Sequence, residues 1–195
     1  MSAELKLVEN PQKTFTMHPK KFALWLFMVS IVMLFASLTS AYIVKRGDGN
    51  WRVFDMPDMF YISSAIVIFS SFAMIFAVRS ARKDQLGRLK GTLWLTFLLG
   101  IGFLIAQIYA WGSLINDNVY FTGGNPSESF IYVLTAVHWL HLVSGLIFIA
   151  IILFNVYKFN IHSKAMVRLE MCSTYWHFLG GLWIYLFAFL LFYHQ

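Results

Sequence analysis

Five residues in this chain have the type and spacing to do chemistry in an apolar setting: Gln107, His138, His141, Glu170 and His177. His138 and His141 are three apart within one apolar run, and His177 lies in the next, a pattern that puts metal or haem ligation on the table. Glu170 and His177 are seven apart, which brings both to roughly one face of a helix, and the same helix also carries Tyr175 and Trp176. Depth argues against one haem between the two runs. His141 lies 11 residues from the end of its run and His177 lies 16 from the corresponding end of its own. That five-residue offset is about 7 Å along a helix axis, and two axial ligands must face each other across one iron. A metal site would also recruit a carboxylate or thiolate, and none lies near His138. The other readings are hydrogen bonds between helices and a polar pocket for a lipid headgroup or a proton path. Gln107 reads as a helix–helix hydrogen bond, and Glu170 as an interfacial acid paired with Arg168 or Lys164. No nucleophile with its base, phosphate-binding glycine loop or pair of catalytic carboxylates is present, so the chain reads as non-catalytic.

The elements that must position these residues are long apolar runs. The last reads from Met171 to Tyr193, 23 residues without a formal charge, enough to cross a bilayer core about 30 Å thick. Four others cover 22–44, 59–78, 92–114 and 130–157. Period-two alternation is absent, which argues against a β-barrel. The expected fold is therefore all-α, a polytopic bundle of five transmembrane helices over 22–195 behind a polar N-terminal segment, 1–21. Small residues four apart, Ala36/Ser40 and Ser37/Ala41 in the first run and Gly102/Ala106/Ala110 in the third, mark stripes where helices can approach closely.

Composition agrees: of 195 residues, 59% are apolar and only 12% charged, outside the range of soluble domains. The net charge of +6 comes from basic residues that flank apolar runs without forming a stripe, so a nucleic-acid partner is not expected. Cys172 is the single cysteine, which excludes an intrachain disulfide and a cysteine-rich metal site. The first 20 or so residues lack a signal-peptide core and presequence character. Twelve Lys and Arg fall in the N-terminal segment and the second and fourth loops, and three fall in the first loop. That asymmetry places the N-terminus inside and the C-terminus outside.

The segments LTAVHWLHLVSG (134–145) and LEMCSTYWHFLGGLW (169–183) resemble subunit III of the haem–copper respiratory oxidases. The resemblance rests on His-x-x-His-x-x-x-Gly in the fourth run and Glu-x4-Tyr-Trp-His-Phe-x4-Trp in the fifth, and extends to LWLFMVSIVMLFAS (24–37) and Gln107. It covers about 20–195. Three features depart from the family pattern. The chain has five helices, like the short bacterial form, instead of seven. Ser30-Ile31 stands where the family commonly has Ser-Glu, so that buried acid is lost at Ile31. Ala110 stands where an acid often follows the glutamine.

The resemblance implies an accessory, non-catalytic subunit of a proton-translocating cytochrome c or quinol oxidase in a bacterial cytoplasmic (inner) membrane. Such a subunit packs against subunit I, which holds the haems and copper, and supports stability and proton uptake, with phospholipid lodged between its helices. On that pattern His138, His141, Glu170, Trp176, His177 and Gln107 order helices and lipid headgroups, and no haem, copper or other metal is expected in this chain. The electron donor engages other subunits and is not selected by these residues. The alternatives are a subunit III-like accessory of nitric oxide reductase and a membrane haem-b anchor. A small transporter would need the internal symmetry and broken helices that these proline-free runs lack.

Overall fold

The computed structural model describes residues 19–47, 49, 51, 56–122, 125–158 and 163–194, with backbone alone for 163–165 and 194. Lys6, Lys13 and Arg52, which enter the charge asymmetry, lie outside the described residues. Among the described residues there are five helices and no strand: α1 (Pro19–Arg46), α2 (Met59–Arg82), α3 (Leu86–Asn116), α4 (Pro126–Tyr157) and α5 (Ser163–His194). All five are long and apolar enough to cross a membrane.

The helices contain the apolar runs and extend beyond most of them. Hydropathy marks where side chains suit hydrocarbon, whereas backbone hydrogen bonding continues wherever the next residues tolerate a helix. So α3 begins at Leu86, ahead of Arg88 and Lys90. Pro126 opens α4 as the residue after its cap, where a missing N–H costs nothing, and the Asn125 side chain accepts from Ser127 N at 3.1 Å. α2 and α3 form a tight antiparallel hairpin through Lys83–Gln85, with Asp84 at φ 52°, a left-handed position that aspartate tolerates better than most residues.

α5 is the centre. It packs on α1, α2 and α4, while α3 is held by α2 and α4. Half of the α5 span (50%) is buried in the bundle against 22% of α1, which touches only α4 and α5. Neither α2 nor α3 packs on α1, so a groove floored by α5 separates α1 from α2. Lipid tails are as apolar as the core, so the bundle coheres through close packing and interhelical hydrogen bonds.

Candidate functional site

Two indoles on α5 tie the bundle together. Trp176 and Trp183 are two turns apart, share the buried face, and are 2% and 0% exposed. Trp176 Nε1 donates to Ser70 Oγ of α2 at 3.2 Å. Its ring fills the space left by two glycines: a methyl group on Gly100 of α3 would lie 2.7 Å from Trp176 Cη2, and one on Gly145 of α4 3.3 Å from Cε3. Trp183 Nε1 donates to Ser64 Oγ at 3.0 Å, and its ring lies 4.9 Å from Phe103 and 5.2 Å from His138. Two more indoles join α3 to α4, Trp111 donating to Thr135 Oγ1 at 3.0 Å and Trp139 to the Leu104 carbonyl at 3.4 Å. Tyr175 hydroxyl meets Ser144 Oγ at 2.8 Å, and Tyr185 hydroxyl donates to Thr39 Oγ1 at 3.3 Å. Each such bond within a membrane contributes about 0.6 kcal/mol. Together they fix which helix faces meet.

Among the described residues, neither the His138 ring nor the His141 ring makes a direct hydrogen bond to another helix. His141 Nδ1 bonds the Val137 carbonyl of its own helix at 2.7 Å. His138 is fully buried among Phe35, Phe103 and Trp183, and neither ring nitrogen has a hydrogen-bond partner. Gln107, also fully buried, has no partner at its amide oxygen or nitrogen, so the expected helix–helix bond is not made directly. His177 lies half-buried on α5. The five-residue offset also narrows. Ser144 meets Tyr175, and Gly145 faces Trp176 and Leu179, which puts His141 level with Gly180, three residues from His177. Among the described residues no group of three or more His, Cys, Asp or Glu is placed to hold a metal ion. Gly102 is corrected as well, since a methyl group there would meet nothing within 4 Å and the close approach belongs to Gly100.

Glu170 and His177 do share the α5 face that looks into the groove between α1 and α2. Glu170 pairs with Lys21 of α1 at 3.5 Å and with Arg82 of α2 at 3.2 Å, so one carboxylate joins two helices that do not touch. These two partners replace the expected Arg168; the Lys164 side chain lies outside the described residues. Past Thr174 and His177 the walls turn apolar. Beside α1 the groove has a volume of about 410 Å³, lined by Val32, Phe35, Ala36, Phe178 and Tyr185; beside α2 it has about 230 Å³, lined by Val67, Phe72, Ile75 and Gly180. The site therefore has a charged mouth, a polar neck and a hydrocarbon-compatible body.

The family model for cytochrome c oxidase subunit III matches residues 50–195. The chain belongs to that family. It is an accessory subunit of a haem–copper oxidase, part of an enzyme complex whose other subunits it associates with, and a multi-pass membrane protein. It is 31% identical over 170 residues to cytochrome bo(3) ubiquinol oxidase subunit 3 of Buchnera aphidicola subsp. Baizongia pistaciae, covering 85% of this chain and 87% of that one. It is 31% identical to the protein of the same name from Pseudomonas putida, covering 84% and 81%. Cytochrome c oxidase subunit 3 of Bacillus sp. (strain PS3) is 27% identical over 96% of both chains.

Within this subunit III, the two positions that depart from the acidic pattern both face inward. Ile31 is 3% exposed and Ala110 0%. A carboxylate at either would sit in the bundle core. The sequence reading missed one acid that does. Glu128, which precedes the apolar run 130–157, is 2% exposed in the first turn of α4. Its signal was legible: Asn125-Pro126-Ser127-Glu128 has the spacing of a capping box, with an acid three residues after the cap.

Proposed function

We propose that this chain is the non-catalytic accessory subunit of a proton-translocating terminal oxidase, packed against the subunit I that carries the haems and copper, and that it holds a phospholipid in the α1–α2 groove. The observation behind this reading is the groove's polarity. Two cations from two helices meet at its mouth, Lys21 and Arg82, on either side of the Glu170 carboxylate. Lys21 and Arg82 suit a phosphate, and Glu170 suits an ammonium, so a zwitterionic headgroup such as phosphoethanolamine satisfies all three. Thr174 and His177, within about 10 Å of helix below the mouth, suit the ester region, and the apolar walls suit acyl chains. The outward face of α1 carries Ser37, Ser40 and Ala41, all exposed, a surface on which another subunit's helix packs closely.

On this reading the mouth lies at the cytoplasmic face of the bacterial inner membrane, with segment 1–21 inside, the membrane domain over 22–195 and the C-terminus outside; the basic residues around the mouth support that orientation. The chain then contributes to stability and sustained proton uptake by keeping subunit I packed and lipid-lined. The test is to purify the complex carrying Glu170→Gln or His177→Leu, then measure bound phospholipid by mass spectrometry and the ratio of this chain to subunit I. Loss of a phospholipid or of this chain is expected in at least one variant. Unchanged lipid content and stoichiometry in both would defeat the reading.

A further inference from the structure

We propose that Gln107 and His138 together bind an internal water molecule at the middle of the bundle. Gln107 on α3 and His138 on α4 are both 0% exposed, and all four of their side-chain polar atoms are buried without a hydrogen-bond partner. Two interhelical contacts bracket them. Phe103, one turn before Gln107 on the same α3 face, meets the His138 ring at 5.9 Å. Trp111, one turn after Gln107, donates to Thr135, which lies one turn before His138. Trp139, next to His138, donates to the Leu104 carbonyl. In this antiparallel register Gln107 and His138 stand at the same level on facing helices.

Their chemistry selects the ligand. A carboxamide offers one acceptor and two N–H donors, and a neutral imidazole one acceptor and one donor. A direct bond between the two satisfies one donor and one acceptor and leaves the others unmet. The missing partner must both donate and accept, and it must fit between helices: those properties belong to water, which bridges buried polar groups through about three hydrogen bonds. Ala106 and Ala110, on either side of Gln107 in sequence and both buried, are small and do not offer a competing polar group. Elsewhere the cage is apolar or aromatic, formed by Phe35, Phe103 and Trp183, so the water is confined to the two polar side chains. The groups form a unit spanning α3 and α4, with α1 and α5 closing it through Phe35 and Trp183.

The experiment uses the chain purified from its membrane with the subunits that accompany it. In a density map that resolves ordered waters elsewhere, a water within hydrogen-bond distance of both the Gln107 amide and the His138 ring is expected. A direct Gln107–His138 bond with no water beside it would overturn the proposal. A double-mutant cycle gives an independent reading. Gln107→Met and His138→Phe are each expected to shorten the thermal half-life of the assembled chain several-fold, by leaving the other group unpaired. The double variant, which removes the polar atoms together, is expected to lose no more than the worse single one. If the double variant's loss equals the product of the two single losses, the groups act independently and the shared water is refuted. The map of the unsubstituted protein decides the matter where a variant does not assemble.

Discussion

Substituting Gly100 with alanine tests the packing at the centre of the bundle. The added methyl carbon would lie 2.6 Å from Leu146 Cδ2, 2.7 Å from Trp176 Cη2 and 3.3 Å from Trp176 Cζ2. Carbon–carbon contacts are comfortable at about 3.5–4.0 Å, so the first two overlaps are close to 1 Å. Leu146 can turn its methyl aside. The Trp176 ring cannot, because its Nε1 is held by Ser70 at 3.2 Å and its opposite edge already lies 3.3 Å from a methyl position on Gly145. Overpacking of this kind costs about 1–3 kcal/mol. Alanine also favours the helix over glycine by up to about 1 kcal/mol, which blurs a single measurement. Gly102→Ala removes the ambiguity: it brings the same propensity gain, and its methyl meets nothing within 4 Å. The difference between the two variants isolates the clash, a factor of about 5–150 in the folding equilibrium. Trp176→Phe, which shortens the ring, should make Gly100→Ala less harmful than in the parent, a non-additivity expected of residues in contact. The assay is denaturant titration of the purified chain in lipid bicelles, read by near-ultraviolet circular dichroism and limited proteolysis. Equal midpoints for Gly100→Ala and Gly102→Ala would refute the close approach of the Trp176 ring to Gly100.

Three further outcomes are expected. A cysteine placed at Asn118 should react with an impermeant thiol reagent on intact cells, and one at Gln85 only after lysis; the reverse pattern would invert the proposed topology. Glu170→Gln removes both ion pairs, yet the Glu170 side chain is 35% exposed and those of Lys21 and Arg82 42% and 63%, so stability in detergent should fall by less than about 1 kcal/mol. A loss several times larger would mean that the clasp holds α1 in place by itself. An oxidase stripped of this chain should keep its haem and copper spectra and a first turnover of similar order, then inactivate sooner during sustained turnover; abolition of the first turnover with intact spectra would assign this chain a catalytic part.

The transmembrane segments were legible because hydrocarbon imposes a length and a composition that few other folds need. The polar face of α5 was legible too, since a seven-residue spacing returns Glu170 and His177 to one side of any α-helix. What joins the helices was legible only in part, Trp176 and Glu170 through the family pattern and not their partners. Trp and Ser read as apolar and small in sequence, and only the assembled bundle sets Trp176 against Ser70 or Trp183 against Ser64. The glycine assignment failed for a related reason. Gly100 and Gly102 are two residues apart, which turns them by about 200° around the helix axis. The four-residue stripe picked Gly102, but which glycine matters depends on where Trp176 arrives from α5. The offset between His141 and His177 was overestimated because it was counted from ends of apolar runs, while α4 and α5 align through Ser144–Tyr175 and the Gly145 contact.

α1 shows how a subunit can be folded and still incomplete. It is held to α4 and α5 by ring contacts of Phe35 with His138 and His141, by Tyr42 at 5.2 Å from Phe189, by the Tyr185–Thr39 bond and by Lys21–Glu170. Ile31 adds apolar packing at the position where a family acid would have required a partner in the core. These contacts use one face of the helix. The opposite face places Ser30, Ser37, Ser40 and Ala41 among exposed apolar side chains. Lipid does not penalise an apolar face, so exposure alone would not demand a neighbour. Small residues change the balance, because association inside a membrane is driven by close backbone approach and van der Waals contact, which bulky side chains would prevent. In the proposed assembly α1 is therefore shared, its inner face fixed by this bundle and its outer face by subunit I. The groove beside it takes its final width from both, which makes lipid retention in the α1–α2 groove a property of the complex and couples it to the loss of subunit I.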